Sequence, residues 1–448
     1  MRDFFIIKDE NYDILFNVEN NKIFKIKENM LKGNYDDSEL YKILKLKIDD
    51  FAEKKLQLNN NSKISINFMS SRTCNLGCRY CFAGEGEYGN NVSKPKTMRY
   101  DVYKNTLKYM MKKYPNDIET ISFFGGEPLL DFKNIKEFIF LLEKVFKQSN
   151  IKKPRICIST NSLLLNDDII EFFKEYNIEV GLSVDGPKYI NDLGRRCKSD
   201  IKRFSVYDRV YLTTMKLREK GIKYKIQVTL NKNHIKFYKK GIVKDWLDSL
   251  GDLIKTDIIV CPVTTENEDF AIKSEGDLKI LDSIAREFVH YYFNEYSKEN
   301  SEKFAAIFIS PMLFIINNKV AKACSSGERM ILIDTDGDVY PCQMYCNDVK
   351  YKLGDVYNGF EFIKENNNTL SRLSNKECSN CIGRNICAVW CKGLQLLNNG
   401  SENSVLKERC VFQRAIIEEN IKILANLSGN EKGQLKKLFN NIYSTLTI

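Results

Sequence analysis

The chain has 448 residues, with 69 Lys and Arg against 59 Asp and Glu for a formal net charge of +10. A hydrophobic share of 43% beside 29% charged residues describes a globular chain, long enough for two or three domains and a sizeable core. A disordered polymer is excluded. With its lysines scattered and no arginine–aromatic run, the positive balance reads as a solvated basic surface and no nucleic-acid partner is expected.

Met1-Arg2-Asp3 leads into mixed polar sequence with no secretory signal, and no run of about 18 apolar residues offers a membrane span. Cysteines number 14 and histidines 2. Clustered cysteines in such a chain point to metal, not disulfides, and to a reducing, cytoplasmic location.

In residues 1–62, Ile14, Phe16 and Val18 alternate with polar residues, as do Phe24 and Ile26 beyond Glu19-Asn20-Asn21. This is a hairpin signal around a turn-forming Asn pair. Leu40, Ile43, Leu44, Ile48 and Phe51 then share one helical face after Asp37-Ser38 as a plausible cap. A hairpin with helices suits a winged-helix-like module. It could cap the next domain, bind DNA (for which no basic recognition helix is present), or offer a sheet edge to a peptide.

The stretch Cys74-Asn75-Leu76-Gly77-Cys78-Arg79-Tyr80-Cys81 follows the apolar run 64–69. Three thiolates at CxxxCxxC spacing, on a tight loop leaving a strand, can hold three irons of a four-iron, four-sulfur cluster and leave the fourth open to a small molecule. The alternatives are a zinc knuckle, which asks for four ligands in paired CxxC spacings, or three unrelated buried thiols.

Across 63–275, strand-like runs at 64–69, 121–124, 155–159, 179–184, 224–230 and 257–261 alternate with helical stretches such as 102–114 and 135–146. That order predicts a parallel α/β sheet, a partial barrel of six units with its site at the strand C-termini. Gly125-Gly126-Glu127-Pro128 stands at the end of the second strand. Its glycines would let backbone approach a ligand, and its carbonyls and Glu127 can accept from an ammonium group. Ser183 and Asp185 end the fourth strand, and Arg195, ten residues on, suits a bidentate carboxylate contact or a surface ion pair. Thr160-Asn161 ends the third strand. Cys157 and Cys261 read as small core residues in apolar strands. Cys197 sits on a charged loop, and His234 and His290 read as structural.

A helical bridge, 276–309, leads to a cysteine-rich domain at 310–415. It contains Cys324, then Gly337-Asp338-Val339-Tyr340-Pro341-Cys342, then Cys378, Cys381, Cys387, Cys391 and Cys410. Paired zinc ribbons are the alternative reading of this set. The remaining residues, 416–448, form a helical tail in pattern.

CxxxCxxC with an aromatic before its last cysteine resembles the radical S-adenosylmethionine superfamily, and GGEP in register after it fits the same pattern. The seven later cysteines resemble the twin auxiliary-cluster domain, SPASM, of peptide-modifying members. This resemblance implies S-adenosylmethionine and three 4Fe-4S clusters as cofactors, held in the first instance by Cys74, Cys78 and Cys81. Tyr80 would lie against the adenine. Gly125, Gly126, Glu127 and Pro128 would meet the methionyl amino group, and Ser183 and Arg195 the ribose or carboxylate. Cys378, Cys381, Cys387 and Cys410 would complete the distal cluster, and Cys324, Cys342 and Cys391 the nearer one. Some relatives supply a fourth ligand to the nearer cluster from a cysteine just before the equivalent of Cys324; residues 319–323 offer none. Either an iron there stays open to a substrate thiolate, or Cys346 closes it.

Relatives that convert a sulfatase cysteine or serine to formylglycine carry an Asp directly after the Gly-x4-Cys cysteine, where this chain has Gln343. A neutral amide cannot take a proton at ordinary pH. The loop 81–89, the hairpin module and the cysteine tail resemble instead the maturases that install thioether bridges in ribosomal peptides (sactipeptide, ranthipeptide or SCIFF type). The resemblance implies docking of a precursor's leader on the N-terminal module and a 5′-deoxyadenosyl radical that takes a hydrogen from the peptide. A bond from a peptide cysteine sulfur to that carbon follows, with the auxiliary clusters taking the leftover electron and a flavodoxin or ferredoxin as donor. Carbon–carbon cross-linking, sulfatase maturation and, outside enzymes, a ferredoxin-like electron carrier are the alternatives.

Overall fold

The computed structural model describes residues 3–27, 63–89, 94–198, 205–298, 303, 305–321, 324–363 and 372–445. The predicted helix around 40–51 lies outside them. The N-terminal part forms a three-stranded antiparallel sheet, β1 (Phe4–Lys8), β2 (Tyr12–Asn17) and β3 (Lys22–Lys27), in that order. The expected hairpin is its second and third strands. β1 joins it through an Ile7–Ile14 register that buries both side chains. This sheet docks on the C-terminal part: Arg384 pairs with Asp3 at 3.0 Å and with Glu19, and Asn385 Nδ2 donates to the Val18 carbonyl at 2.8 Å.

Six parallel strands follow: β4 (Ile64–Ser71), β5 (Ile118–Gly125), β6 (Arg155–Thr160), β7 (Ile178–Ser183), β8 (Tyr224–Leu230) and β9 (Asp257–Pro262). Each pairs with the next in chain order. Their side chains alternate. Ile156 and Ile158, or Val180 and Leu182, are sealed on one face, and the residues between them stay half-buried on the other. That period of two places β6 Ser159 and β7 Ser183 on the concave side. The intervening helices begin where the sequence supplies caps: Asn166 accepts from the Ile169 amide and Ser205 from the Asp208 amide.

The sheet does not end at the barrel. β10 (Met330–Ile333) runs parallel to β4, and β11 (Asp338–Tyr340), β12 (Gly354–Asp355) and β13 (Gly359–Phe360) extend it antiparallel into ten strands. Thus the cysteine-rich domain is built onto the free edge of the first barrel strand. Behind it, the helix Glu275–Tyr296 packs on Lys407–Asn426 through Arg286, which meets Glu418 at 2.7 Å and Glu419 at 3.0 Å. Phe308 stacks on Phe288, with centroids 4.8 Å apart, and leans on Phe412. The Lys407–Asn426 helix carries Cys410 and runs through residue 416, so the cysteine domain and the expected tail share one helix. Among the described residues no helix is long and apolar enough to cross a membrane.

Where β4 ends and β10 turns into β11, two charges are sealed together. Arg72 Nε and Nη2 donate to the two oxygens of Asp334 at 2.8 and 2.6 Å, with side-chain exposures of 3% and 0%. Arg72 also donates to the carbonyls of Tyr88 and Cys346. Lys94 reaches Asp334 at 2.7 Å and Asp336 at 2.8 Å. Burial works against the Asp334 charge, but Arg72 and Lys94 hold its carboxyl below the usual carboxylate range. Its contribution is therefore present at neutral pH and is lost as pH falls through that lowered value. Asp334→Asn leaves a buried guanidinium unpaired and is expected to destabilise the chain by about 3–5 kcal/mol. The lowered denaturant midpoint would report this, and a double Arg72→Met, Asp334→Leu variant should recover much of it. Equal losses in the single and double variants would contradict this account.

Candidate active site and cluster-binding cavities

At the C-terminal ends of the strands lies a cavity of about 310 Å³. Cys74, Cys78 and Cys81 line it together with Tyr80, Gly125, Gly126, Ser183 and Arg195. Of the residues read from the sequence as contacts, Glu127 and Pro128 alone stand behind the wall.

The glycine doublet is required by backbone packing before any ligand is considered. A Cβ on Gly125, whose φ is +140°, would stand 2.2 Å from the Ser71 carbonyl oxygen, and one on Gly126 would stand 2.3 Å from that of Thr73. The amides of Gly126 and Glu127 donate to those same two carbonyls at 2.8 and 2.9 Å. The end of β5 thus clamps the chain that enters the cysteine loop. Glu127, fully buried, turns away toward β6. It accepts from Thr160 Oγ1 at 2.8 Å, the Asn161 amide at 2.9 Å and the Leu129 amide at 3.1 Å. Burial outweighs these bonds and pushes its carboxyl up to about 7. Asn161, so positioned, directs Nδ2 at Cys74 Sγ (3.6 Å) and Asn75 Oδ1 (2.7 Å).

On the opposite wall the Tyr80 hydroxyl donates to Asp185. Asp185 also pairs with Arg195 at 2.9 Å and accepts from the Thr229 amide. Arg195 stacks over the Tyr80 ring at 5.8 Å, and Gly194 is small because a Cβ there would stand 2.6 Å from that ring. Burial opposes the Arg195 charge and Asp185 more than restores it. Arg195 Nε is buried without a partner on this wall. His234 has the structural role read from the sequence, held at both ring nitrogens. Its Nδ1 accepts from the Asn231 amide, which leaves Nε2–H to donate to the Asp185 carbonyl at 2.6 Å. Burial lowers its pKa, so it is a neutral prop under Asp185.

The seven later cysteines gather in two groups. Cys324, Cys342 and Cys391 are electrostatic neighbours. Cys378, Cys381, Cys387 and Cys410 line a second cavity of about 130 Å³. Cys346 joins neither group. It is 1% exposed, donates to the Gln343 carbonyl at 3.2 Å, and has Arg72, Asp334 and Lys94 as its charged surroundings. Cys261, read from the sequence as core filling, instead lines the first cavity beside Arg409, with Cys391 in electrostatic range. Its place at a strand's C-terminal end was the one available signal. Arg72, Lys94 and Asp334 carried no motif and were missed.

The donor sets fit iron–sulfur clusters. Burial pushes the Cys74 thiol up to about 11 and those of Cys78, Cys342, Cys378 and Cys410 up to about 12, so ionisation needs a strong Lewis acid. Among the described residues no group of three His, Cys, Asp or Glu side chains is placed to hold a single metal ion; Cys74, Cys78 and Cys81 line the first cavity and Cys378, Cys381, Cys387 and Cys410 the second. Unpartnered buried donors, Arg195 Nε at the first cavity and Trp390 Nε1 at the second, face the same spaces.

Residues 68–268 match the radical SAM superfamily model, and residues 324–382 match SPASM, an iron–sulfur cluster-binding domain. The chain is 27% identical over 387 residues to a cysteine-type anaerobic sulfatase-maturating enzyme of Clostridium novyi, covering 79% of this chain and 94% of that one. It is 24% identical to the radical SAM cyclopropyl synthase TigE of Paramaledivibacter caminithermalis, over 81% of this chain and 75% of that one. The fold is similar to that of native anSMEcpe with bound AdoMet, at TM-score 0.66 and 21% identity over 81% of this chain and 100% of that one.

Because its folded-state pKa is raised to about 7 from an ordinary 4.5, Glu127 keeps its proton in the folded chain while the unfolded chain ionises. Stability therefore falls as pH rises across that interval. In cluster-free protein, Glu127→Gln should remove this component. The wild type should lose stability relative to the variant between pH 4.5 and 7, as followed by unfolding midpoints. Parallel pH profiles would show Glu127 ionising normally.

Proposed function

We propose that this chain, which carries a radical SAM domain followed by a SPASM domain with S-adenosylmethionine, one cluster that binds it and auxiliary 4Fe-4S clusters as cofactors, is a peptide maturase joining a cysteine sulfur to a carbon within a ribosomally made precursor. Bound at Cys74, Cys78 and Cys81, the first cluster and S-adenosylmethionine supply a 5′-deoxyadenosyl radical. This chain's part is to bind, orient and shield. Tyr80, held by Asp185 and faced by Arg195, gives the adenine a fixed aromatic edge. Arg195, with Nε unpartnered, suits the carboxylate of the methionyl group, and Ser183 the ribose. The carbonyls of Gly125 and Gly126 suit its ammonium. Glu127 holds Asn161 against Cys74 from behind.

One observation carries the thioether reading: Cys346 is committed to the Arg72–Asp334 region, which leaves Cys324, Cys342 and Cys391 as a set of three. A peptide thiolate has the charge and softness to complete such a set. Gln343 follows Cys342, and among the described residues that line the first cavity Glu85 is the one carboxylate. An N-terminal strand edge, at β1 or β3, can take an extended leader as an added strand. The partners are then a cytoplasmic precursor peptide and a one-electron donor such as a flavodoxin or ferredoxin.

Sulfatase maturation is the second reading, favoured by relatives at 24–27% identity that span 79–81% of this chain. The two differ in product. With reconstituted clusters, S-adenosylmethionine, reductant and a cysteine-containing precursor bearing its leader, the expected peptide loses two hydrogens and its thiol resists alkylation. Loss of the sulfur with a new aldehyde would establish sulfatase maturation instead, and loss of two hydrogens with an alkylatable thiol a carbon–carbon link. Cys342→Ala should still yield 5′-deoxyadenosine without cross-linking, whereas Cys74→Ala should yield neither.

A further inference from the structure

Four arginines of the described structure are nine-tenths buried or more: Arg72, Arg195, Arg372 and Arg384. Three face carboxylates. Arg72 has Asp334, Arg195 has Asp185, and Arg384 has Asp3 and Glu19. Arg372 does not. At 1% exposure it is the bulkiest fully buried side chain, and its hydrogen bonds all go to main-chain carbonyls: Arg384 at 2.7 Å, Cys387 at 2.8 Å and Ala321 at 3.2 Å. Among the described residues it makes no ion pair. Its charged surroundings are Cys378, Cys381 and Cys387, and it lines the cavity those thiols share with Cys410.

A guanidinium sealed away from water without a counter-ion is costly by several kcal/mol. Carbonyl dipoles offset part of that cost and fix the group in place, but they do not neutralise it. Anionic charge in the cavity would. A four-thiolate cluster carries net negative charge, which grows by one unit on reduction, and its potential follows net charge, hydrogen bonding and solvent exposure. A fixed cation beside it stabilises the reduced form more than the oxidised one. The Trp390 indole N–H, buried without a partner, lines both this cavity and the one beside Cys324, so the difference between the two sets rests on Arg372. Other charges stand near both sets, Lys392 and Glu328 near Cys324, Glu377 near Cys378 and Arg414 near Cys410; among the described residues Arg372 is the fully buried guanidinium without an acid.

We propose that Arg372 is the built-in counter-charge of the distal cluster, holding its potential above that of the nearer cluster and making it the terminus for the electron left by the substrate. This rests on the reading that Cys378, Cys381, Cys387 and Cys410 hold a cluster. Arg372 acts here as a tuning residue, not a catalytic one.

The test is a redox titration of the reconstituted full chain by electron paramagnetic resonance, with the distal signal identified as the one missing from Cys410→Ala. In wild type the distal signal should titrate at the higher potential. Arg372→Gln should keep its iron and shift the distal one-electron equilibrium at least tenfold toward the oxidised form, about 59 mV. The nearer signal should stay in place, and Arg372→Lys should restore most of the shift. A loaded Arg372→Gln that titrates as wild type overturns the proposal while leaving the cluster assignment standing. Should Arg372→Gln fail to load, Arg372→Lys decides: a wild-type midpoint supports the counter-charge role, and a tenfold fall overturns it. Wild-type protein with iron for no distal cluster overturns the underlying assignment itself.

Discussion

A guanidinium and a carboxylate shut in together, Arg72 against Asp334, join the strand that carries the cysteine loop to the hairpin that carries Cys342. Neither charge can be left alone at that depth, so β4 and β10 have one register in which both are satisfied. A slip of one residue would also turn the apolar faces of both strands over. The same guanidinium holds the carbonyls of Tyr88 and Cys346, which fixes the far end of the loop as well. Cluster loop, second domain and cavity wall are therefore held by one buried group. The geometry of the site is a property of the joint between domains, not of the barrel alone.

The other side of the loop is held by bare backbone. Gly125 and Gly126 sit so close to Ser71 and Thr73 that their hydrogen bonds replace what a side chain would otherwise occupy. A glycine pair at a strand end can be read as an approach path for a ligand. Here it serves first as an approach path for another stretch of main chain, and the ligand inherits the space that remains. Glu127 completes this by crossing to β6, where it orders Asn161 against Cys74. Burial of that carboxylate is tolerable because three donors meet it and because it can keep its proton near neutrality.

Most of this was legible in order along the chain. The six strand runs were readable because they are short, rich in apolar residues and separated by amphipathic helices. The cysteine spacings were readable because thiolate chemistry is local. What was not readable is what depends on distant partners. Asp334 looks like one more acid in Asp334-Thr335-Asp336-Gly337-Asp338, and nothing local marks it as the partner of Arg72. Cys346 falls at a ligand-like spacing from Cys342, yet the turn after Cys342 aims it at the Gln343 carbonyl and the Arg72 network. His234 could be read as structural, but its two partners, the Asn231 amide and the Asp185 carbonyl, are main-chain groups that leave no trace in residue type. The extension of the barrel sheet by β10 to β13 was hidden for a further reason. Strands of two to four residues are too short to show a period.

The charge pattern around the three cysteine sets shows how the fold divides the work of holding anions. Next to Cys78 the cation, Arg195, is paired with Asp185, and its buried, unpartnered Nε is left to orient a ligand. Around Cys324 a lysine and a glutamate oppose one another. Around Cys378 and Cys387 the cation is bare and immobilised by carbonyls. A chain that pairs its other fully buried guanidiniums with acids would gain stability from pairing this one too. Its leaving Arg372 without a carboxylate is intelligible when the counter-ion arrives with the cavity's occupant, so that folding and loading of this domain are coupled through one charge.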